Sequence, residues 1–223
     1  MSELKEDVRK FLEIENEEKF NQLSNDELLD LAKKKLEERM NGNPNEMRTV
    51  YYPNKLLTEK CEKVEKFDTV IQTFARHLLI HCRRQGGLGL AAPQVGLLYR
   101  IVVVDTEIID NAYSTDYVKK DYPNKLFNPV ISNTSGKIRY KEGCLSIPGV
   151  FAWVDRYQAF TINYQDENGN EKKLDVTCAP GDPYGIVLQH EVDHLDGVQF
   201  IDRLNFFEKD KIINKMNKFR EKK

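Results

Sequence analysis

Two periods of apolar residues run along this chain, and the changes from one to the other mark out its elements. Phe67, Val70, Ile71, Phe74 and Leu78 fall on one stripe at helical spacing and predict an amphipathic helix. Ile101-Val102-Val103-Val104 reads as a buried strand. Leu126 to Ile131 and Lys137 to Tyr140 predict strands around a turn from Asn133 to Gly136. From Val150 to Tyr164 apolar and polar residues alternate as in long, half-buried strands, and Asn168-Gly169 marks a hairpin turn before Lys172 to Val176. Asp182-Pro183 has the chemistry of a helix start, and Gly197 is placed to end that helix. Phe206 to Phe219 predicts a last, basic amphipathic helix. Val50, Tyr51 and Tyr52 before Pro53 suggest a short extended piece and a turn, and residues 106 to about 125, with no strong period, a long surface loop. The fold class expected is α+β, with antiparallel or mixed sheets wrapped around one central helix.

Residues 1–46 have a different texture, rich in Lys, Glu and Asn. Leu4, Val8, Phe11 and Leu12 repeat at helical spacing. A second helix is expected after Ser24, with Glu27 completing a capping box and Leu23 and Leu28 spaced as a staple. Leu28, Leu31, Ala32 and Leu36 continue it until Asn41-Gly42-Asn43-Pro44 stops it. Stripes this narrow favour packing on the main domain or on themselves over a partner-binding face. The expected division is an N-terminal helical extension, 1–46, and a main domain, 47–223.

Charge and cysteine usage restrict the setting. The 34 basic and 36 acidic residues among 223 leave a formal charge of -2, which argues for neither nucleic acid nor a membrane surface. No apolar run approaches a bilayer span. The N-terminus lacks an apolar signal core and is too acidic for a transit peptide. Cys61, Cys82, Cys144 and Cys178 show no CxxC pairing, so a reducing, cytoplasmic compartment is expected.

The chemistry concentrates in Gln189-His190-Glu191-Val192-Asp193-His194. Two histidines four apart lie one turn above the other on a helix, where a single metal ion can take both imidazoles. Glu191 is placed to act as general base on a water at that metal. The plain alternative is a solvated helical face. Against it, Ile186, Val187, Leu188, Val192 and Leu195 make the helix read as buried, and half of the 4 histidines sit here. A second pair, His77 and His81, has no adjacent base and reads as boundary histidines. Gly87-x-Gly89-x-x-Ala92 superficially matches a dinucleotide fingerprint, but a helix precedes it and Pro93 blocks the helix that should follow. Its small residues let another backbone approach closely, either a peptide substrate or the sheet itself. Taken with the histidine pair, Cys144 is the strongest candidate for a third ligand, and a thiolate with two imidazoles leaves a fourth position open for water.

Gly87-Leu88-Gly89-Leu90-Ala91-Ala92-Pro93-Gln94, Glu142-Gly143-Cys144-Leu145-Ser146 and the histidine motif, in this order, resemble peptide deformylase. The resemblance spans Met47 to about Asp202; residues 179–184 are less typical of the family, and the N-terminal helices lie outside it. It implies that Cys144, His190 and His194 bind one divalent metal, Fe(II) being expected and Ni, Co or Zn the alternatives. It further implies that Glu191 is the acid–base residue, and that Gln94 and the Leu145 N–H stabilise the oxyanion. The implied substrate is a nascent N-formylmethionyl peptide, laid as an added strand near Leu88, Gly89 and Gly143. Ile186 and Val187 either line its methionine pocket or are plain core. The ribosome is a candidate partner, sequence-specific nucleic-acid binding and a membrane are not expected, and the oligomeric state is left open. Two rival readings remain: a zinc endopeptidase completed by Glu208, and a closed structural site completed by Cys178 or Cys82.

Overall fold

The computed structural model describes residues 17–24, 27, 31, 34–35, 38, 42–113 and 121–220. The chain divides into two compact units, Met1–Asn43 and Pro44–Lys223. In the first, helix α1 (Glu17–Gln22) precedes the expected capping box. The Ser24 N–H donates to Glu27 Oε2 at 2.8 Å, and Ser24 Oγ accepts from the Glu27 N–H at 3.3 Å. The stripe from Leu4 to Leu12, and Leu28, Ala32 and Leu36 of the next, lie outside the described residues.

The second unit holds a five-stranded sheet of order β1-β2-β3-β6-β7 and a separate ribbon, β4-β5. The strands are β1 (Gly89–Ala91), β2 (Ile101–Val104), β3 (Lys125–Ser135), β4 (Ile138–Cys144), β5 (Ile147–Arg156), β6 (Ala159–Gln165) and β7 (Glu171–Thr177). Every pairing between them is antiparallel. Helix α2 (Thr69–Arg84) and helix α4 (Tyr184–Leu195) both pack on β1 and β2. That two-sided cover explains why all four residues of β2 are apolar and buried. The Asp68 carboxylate caps α2 by accepting from the Val70 and Ile71 N–H groups. Phe67 therefore precedes the helix rather than joining its stripe, and packs edge-on against Phe127 with 5.6 Å between ring centroids.

Two further expectations need correction. The stretch from 106 is not wholly loop, because Thr106–Tyr113 forms helix α3. It is only about two turns long, with Ile109 buried, and its start is tied by the fully buried Asp105, which accepts from the Ile108 N–H and pairs with Arg83. The turn after Asn133 also does not join a hairpin. β3 runs on to Ser135 and pairs with β6, whereas β4 pairs with β5, so the chain changes sheets at Gly136 and Lys137. Local alternation carries no information about which sheet a strand joins.

Helix α4 is the centre of the unit. Ile186, Leu188, Val192 and Leu195 share a core cluster with Val102, Val104, Leu126 and Ile162. All of its residues are buried except the half-buried Val187, although Gln189, His190, Glu191, Asp193 and His194 are polar. The helix starts one residue later than Asp182-Pro183 predicted, with Pro183 as its N-cap, and Asp182 Oδ1 accepts from the Tyr184 N–H at 3.1 Å. At the other end Gly197 takes φ +74°; its N–H donates to His194 O and that of Val198 to Asp193 O, closing a Schellman turn. Helix α5 (Phe206–Arg220) follows, with Met216 and Ile212 joining a second cluster around Ile147, Val154 and Phe200. Among the described residues no helix is long and apolar enough to cross a membrane.

A Cβ at Gly197 would stand 2.4 Å from the Thr58 carbonyl oxygen, on a backbone conformation that side chains rarely adopt. Gly197→Ala is therefore expected to destabilise the fold by about 2 kcal/mol, read as a lowered urea midpoint. An unchanged midpoint would show that this helix end does not need glycine.

Candidate active site

Three segments meet at the polar side of α4. The 3-10 turn Ala92–Val95 after β1 carries Gln94, the end of β4 carries Cys144, and α4 supplies the histidines and Glu191. Cys144 Sγ and one ring nitrogen each from His190 and His194 lie within 4.8 Å of one another. Cys144 Sγ is 3.3 Å from His194 Nε2. The imidazoles stand edge to face, 4.9 Å between centroids, as an i, i+4 pair on one helical face must.

This donor set fits a metal ion. One sulfur from a strand and two imidazole nitrogens from a helix converge, and the buried Glu191 Oε2 in the same helix has no hydrogen-bond partner. Unpartnered polar atoms are costly in an apolar interior unless the site has work for them. His190 shows the usual orienting device of a ligand histidine, with Nδ1 2.8 Å from Glu142 Oε2, which leaves Nε2 for Cys144 and any ion.

Behind that bond lies a relay of charge, buried from Glu142 to Asp193 and reaching the surface at Arg203. Arg156 donates to both carboxylate oxygens of Glu142, at 2.6 and 2.7 Å, and to Asp193 Oδ2. Asp193 also receives the fork of Arg203. The line Arg203–Asp193–Arg156–Glu142–His190 thus pairs two guanidiniums with two carboxylates and ends on a member of the metal-capable group. Burial alone would push the Glu142 carboxyl up, but its bonds to Arg156 and His190 outweigh that and hold it at about 2. Burial also acts against a charged His190, yet the bonds to Cys144 and Glu142 carry its pKa above the ordinary range. His194 is kept below the ordinary range by burial and by the positive His190 and Arg156. Burial pushes Glu191 up to about 7, with His190 and Arg156 pulling the other way.

Gln94 is 1% exposed and its amide is fixed from both ends. Oε1 accepts from the Ala91 N–H at 2.8 Å, so Nε2 points at Ser146 Oγ, 3.3 Å away, and Cys144 Sγ, 3.4 Å away. The extended piece before Pro53 ties the same two residues through their backbones, with Val50 N–H donating to Gln94 O and Tyr52 N–H to Ser146 O.

These groups open on a cleft of about 560 Å³. Leu88, Gly89, Gln94, Gly143, Cys144, Leu145, Ile186, Val187, His190 and Glu191, all named from the sequence, line it. β1 pairs only with β2 and β4 only with β5, so each contributes an open strand edge to the cleft. At Gly89 the space a Cβ would fill is taken by Val187 Cγ1 at 2.5 Å and Glu191 Oε1 at 2.8 Å, so here the glycine admits side chains of α4. Ile186 both lines the cleft and belongs to the core.

The other nominated groups stand apart. His81 Nε2 bonds Thr49 Oγ1, Cys82 donates to Gly87 O, and Glu208 is tied to Asn205. Among the described residues only Cys144, His190 and His194 form a metal-capable group, so neither Glu208, Cys82 nor Cys178 completes it. Sequence reasoning missed the roles of Glu142, Asp193, Arg156 and Arg203. A signal was available in β5, where Val154 and Arg156 share the inward phase and an inward arginine demands carboxylates.

A family model described as polypeptide deformylase matches residues 47–210. Peptide deformylase of Aquifex aeolicus is 36% identical over 169 residues, 76% of this chain and 94% of that protein. That of Borreliella burgdorferi is 39% identical over 173 residues, 77% of this chain and 93% of that protein. A crystal structure of peptide deformylase from Ehrlichia chaffeensis aligns with a TM-score of 0.67 at 34% identity, covering 79% of this chain and 97% of that one. A second, in complex with actinonin, gives 0.66 at 36% identity, covering 77% and 96%.

Because Glu142 is held below its ordinary 4.5, the stability it contributes is complete above pH 4.5 and is lost as pH falls through about 2. Glu142→Gln is expected to cost about 3 kcal/mol at pH 7, a deficit that shrinks on acidification. Urea titrations at pH 7, 4 and 3 check this, and a deficit independent of pH would count against it. Metal affinity should also fall about 10–100-fold, since His190 loses its orienting carboxylate.

Proposed function

The chain belongs to the polypeptide deformylase family, and from that premise we propose that it removes the formyl group from N-formylmethionyl peptides, releasing formate and a free amino terminus. The observation that carries this reading is the convergence of Cys144, His190 and His194 beside the unpartnered Glu191 carboxylate oxygen, at the floor of an open cleft. In our assignment Cys144, His190 and His194 hold one divalent ion, Fe(II) in preference to Ni, Co or Zn. When bound, that ion supplies the positive charge that acidifies water and polarises the formyl carbonyl.

The remaining work falls to the chain's own groups. Glu191 takes the proton of the attacking water and delivers it to the departing amide nitrogen, which leaves as an amine only once protonated. Its buried position suits this, because a carboxyl pushed up to about 7 both accepts and gives a proton near neutrality. Gln94 offers Nε2 to the formyl oxygen as negative charge grows there. Its Oε1 is already held by the Ala91 N–H, so no reorientation is needed when charge develops. The Leu145 N–H, in the turn between β4 and β5, is assigned as the second donor. Glu142 acts one step back, keeping His190 in the tautomer that presents Nε2.

The substrate is assigned to the open edges of β1 and β4, with Leu88, Gly89 and Gly143 along its backbone and Ile186 and Val187 beside its methionine. Backbone pairing tolerates many sequences, as an enzyme acting on nascent chains must. Four free thiols suit the cytoplasm, where such chains leave the ribosome. The catalytic domain is assigned to 47–223, with 1–46 as an extension outside the chemistry.

Formate release from formyl-Met-Ala-Ser by anaerobically prepared, metal-loaded protein tests the reading. Glu191→Gln is expected to lower kcat by about 10²–10⁴-fold with metal content unchanged, and Gln94→Leu by about 10²–10³-fold. Wild-type-like turnover in either variant would remove that residue from the mechanism. A chain beginning at Met47 should fold and retain activity on the same peptide; a folded but inactive product would assign the extension a part in the reaction.

A further inference from the structure

β5 turns two large aromatic side chains to solvent. Phe151 is 64% exposed and Trp153 55%, while Val150, Val154 and Arg156 of the same strand face inward. A strand with one wet face ordinarily carries polar residues there. A single exposed aromatic is unexceptional, but two on successive positions of one face make a contiguous apolar patch. This patch runs directly into the cleft.

The register shows how. Gly143 of β4 stands opposite Phe151, and Lys141 opposite Trp153. Cross-strand partners share a face of the ribbon, so Gly143 leaves open the space on β4 that a side chain would occupy. The Phe151 ring fills it: a Cβ on Gly143 would be 2.6 Å from Phe151 Cε1. The ring thereby reaches across β4 to line the cleft with Gly143, Cys144 and Leu145. Lys141 Nζ stands 5.8 Å from its centroid, a cation–π contact that holds the ring over the strand. Lys141 also lines the cleft, between Trp153 and the open edge of β4.

We propose that Phe151, extended by Trp153, is a specificity-determining shelf that takes a large apolar side chain from one of the two residues following formylmethionine. This rests on the deformylase reading and names a substrate class within it. A peptide added to the open edge of β4 points successive side chains to opposite faces, and only one of two neighbours can meet the Phe151 side. The preference is therefore confined to one position, and it acts on binding, away from the reacting carbonyl.

The test uses the full chain loaded with nickel and two peptide series, formyl-Met-X-Ser and formyl-Met-Ala-X, with X as Ala, Leu or Phe. In the wild type, Leu or Phe should lower KM about tenfold relative to Ala at one position and little at the other, with kcat nearly constant. Phe151→Ala should bring that ratio to within about twofold, and Phe151→Leu should keep part of it. No preference at either position, or a ratio unchanged in Phe151→Ala, would overturn the proposal. Trp153 is the only tryptophan in the chain, so emission gives a second readout independent of turnover. The unformylated peptides Met-Phe-Ser and Met-Ala-Phe should shift it unequally, and Phe151→Ala should weaken the larger response; equal or absent shifts would count against the shelf. Failure to release formate from any formyl peptide would instead defeat the deformylase reading, and the emission measurement would still judge the shelf.

Discussion

The buried run of Glu142, Arg156 and Asp193 behind His190, closed at its outer end by the exposed Arg203, is the constraint on which this site depends. Moving Glu142, Arg156 or Asp193 from water to the interior costs several kcal/mol each, and only pairing offsets it. Arg156 is 3% exposed and Glu142 5%, so neither is tolerable without the other. Their fork sets the plane of the Glu142 carboxylate, and that plane sets His190. Asp193 brings Arg203 into the same line, so the helix that carries the histidines, the strand that carries Arg156 and the turn before α5 are locked together.

That locking explains how a helix with five polar or charged residues in six consecutive positions can occupy the middle of a domain. Gln189 pairs with both backbone groups of Tyr157, Asp193 with two arginines, and His190 with Glu142. What stays unmatched, Glu191 Oε2 and His194 Nδ1, lies beside the donor cluster. An unsatisfied carboxylate oxygen held beside convergent donors is what separates a site from ordinary packing. The glycines serve the same end in different ways. Gly89 makes room for Glu191 and Val187 from the helix, while Gly143 makes room for Phe151 from the neighbouring strand.

The comparison between what was expected and what was found follows interaction range. The capping box at Ser24, the hairpin at Asn168-Gly169 and both ends of α4 are set by residues within a few positions of one another, and all were legible. Helix α3 was not, because its eight residues make only about two turns, too short a stretch to tell from a loop without the tertiary tie of Asp105 to Arg83. The change of sheet after β3 was not, because β3 and β4 alternate equally well as partners of each other and of the strands they actually join. Phe67 was placed on the wrong side of a helix start because its partner, Phe127, is distant in sequence.

For the site, the sequence by itself determined the donor types. His190 and His194 share a face of any helix they are written into, Glu191 adjoins them on that helix, Cys144 is the strongest third donor beside them, and the family resemblance singled out Gln94. The tertiary structure alone decided how these groups are held. Gln94 is oriented by Ala91 and Ser146, His190 by Glu142, and Glu142 by Arg156, across sequence separations of up to about fifty residues. Such pairings leave no local period, because a buried charge specifies that a partner must exist and not where along the chain it lies.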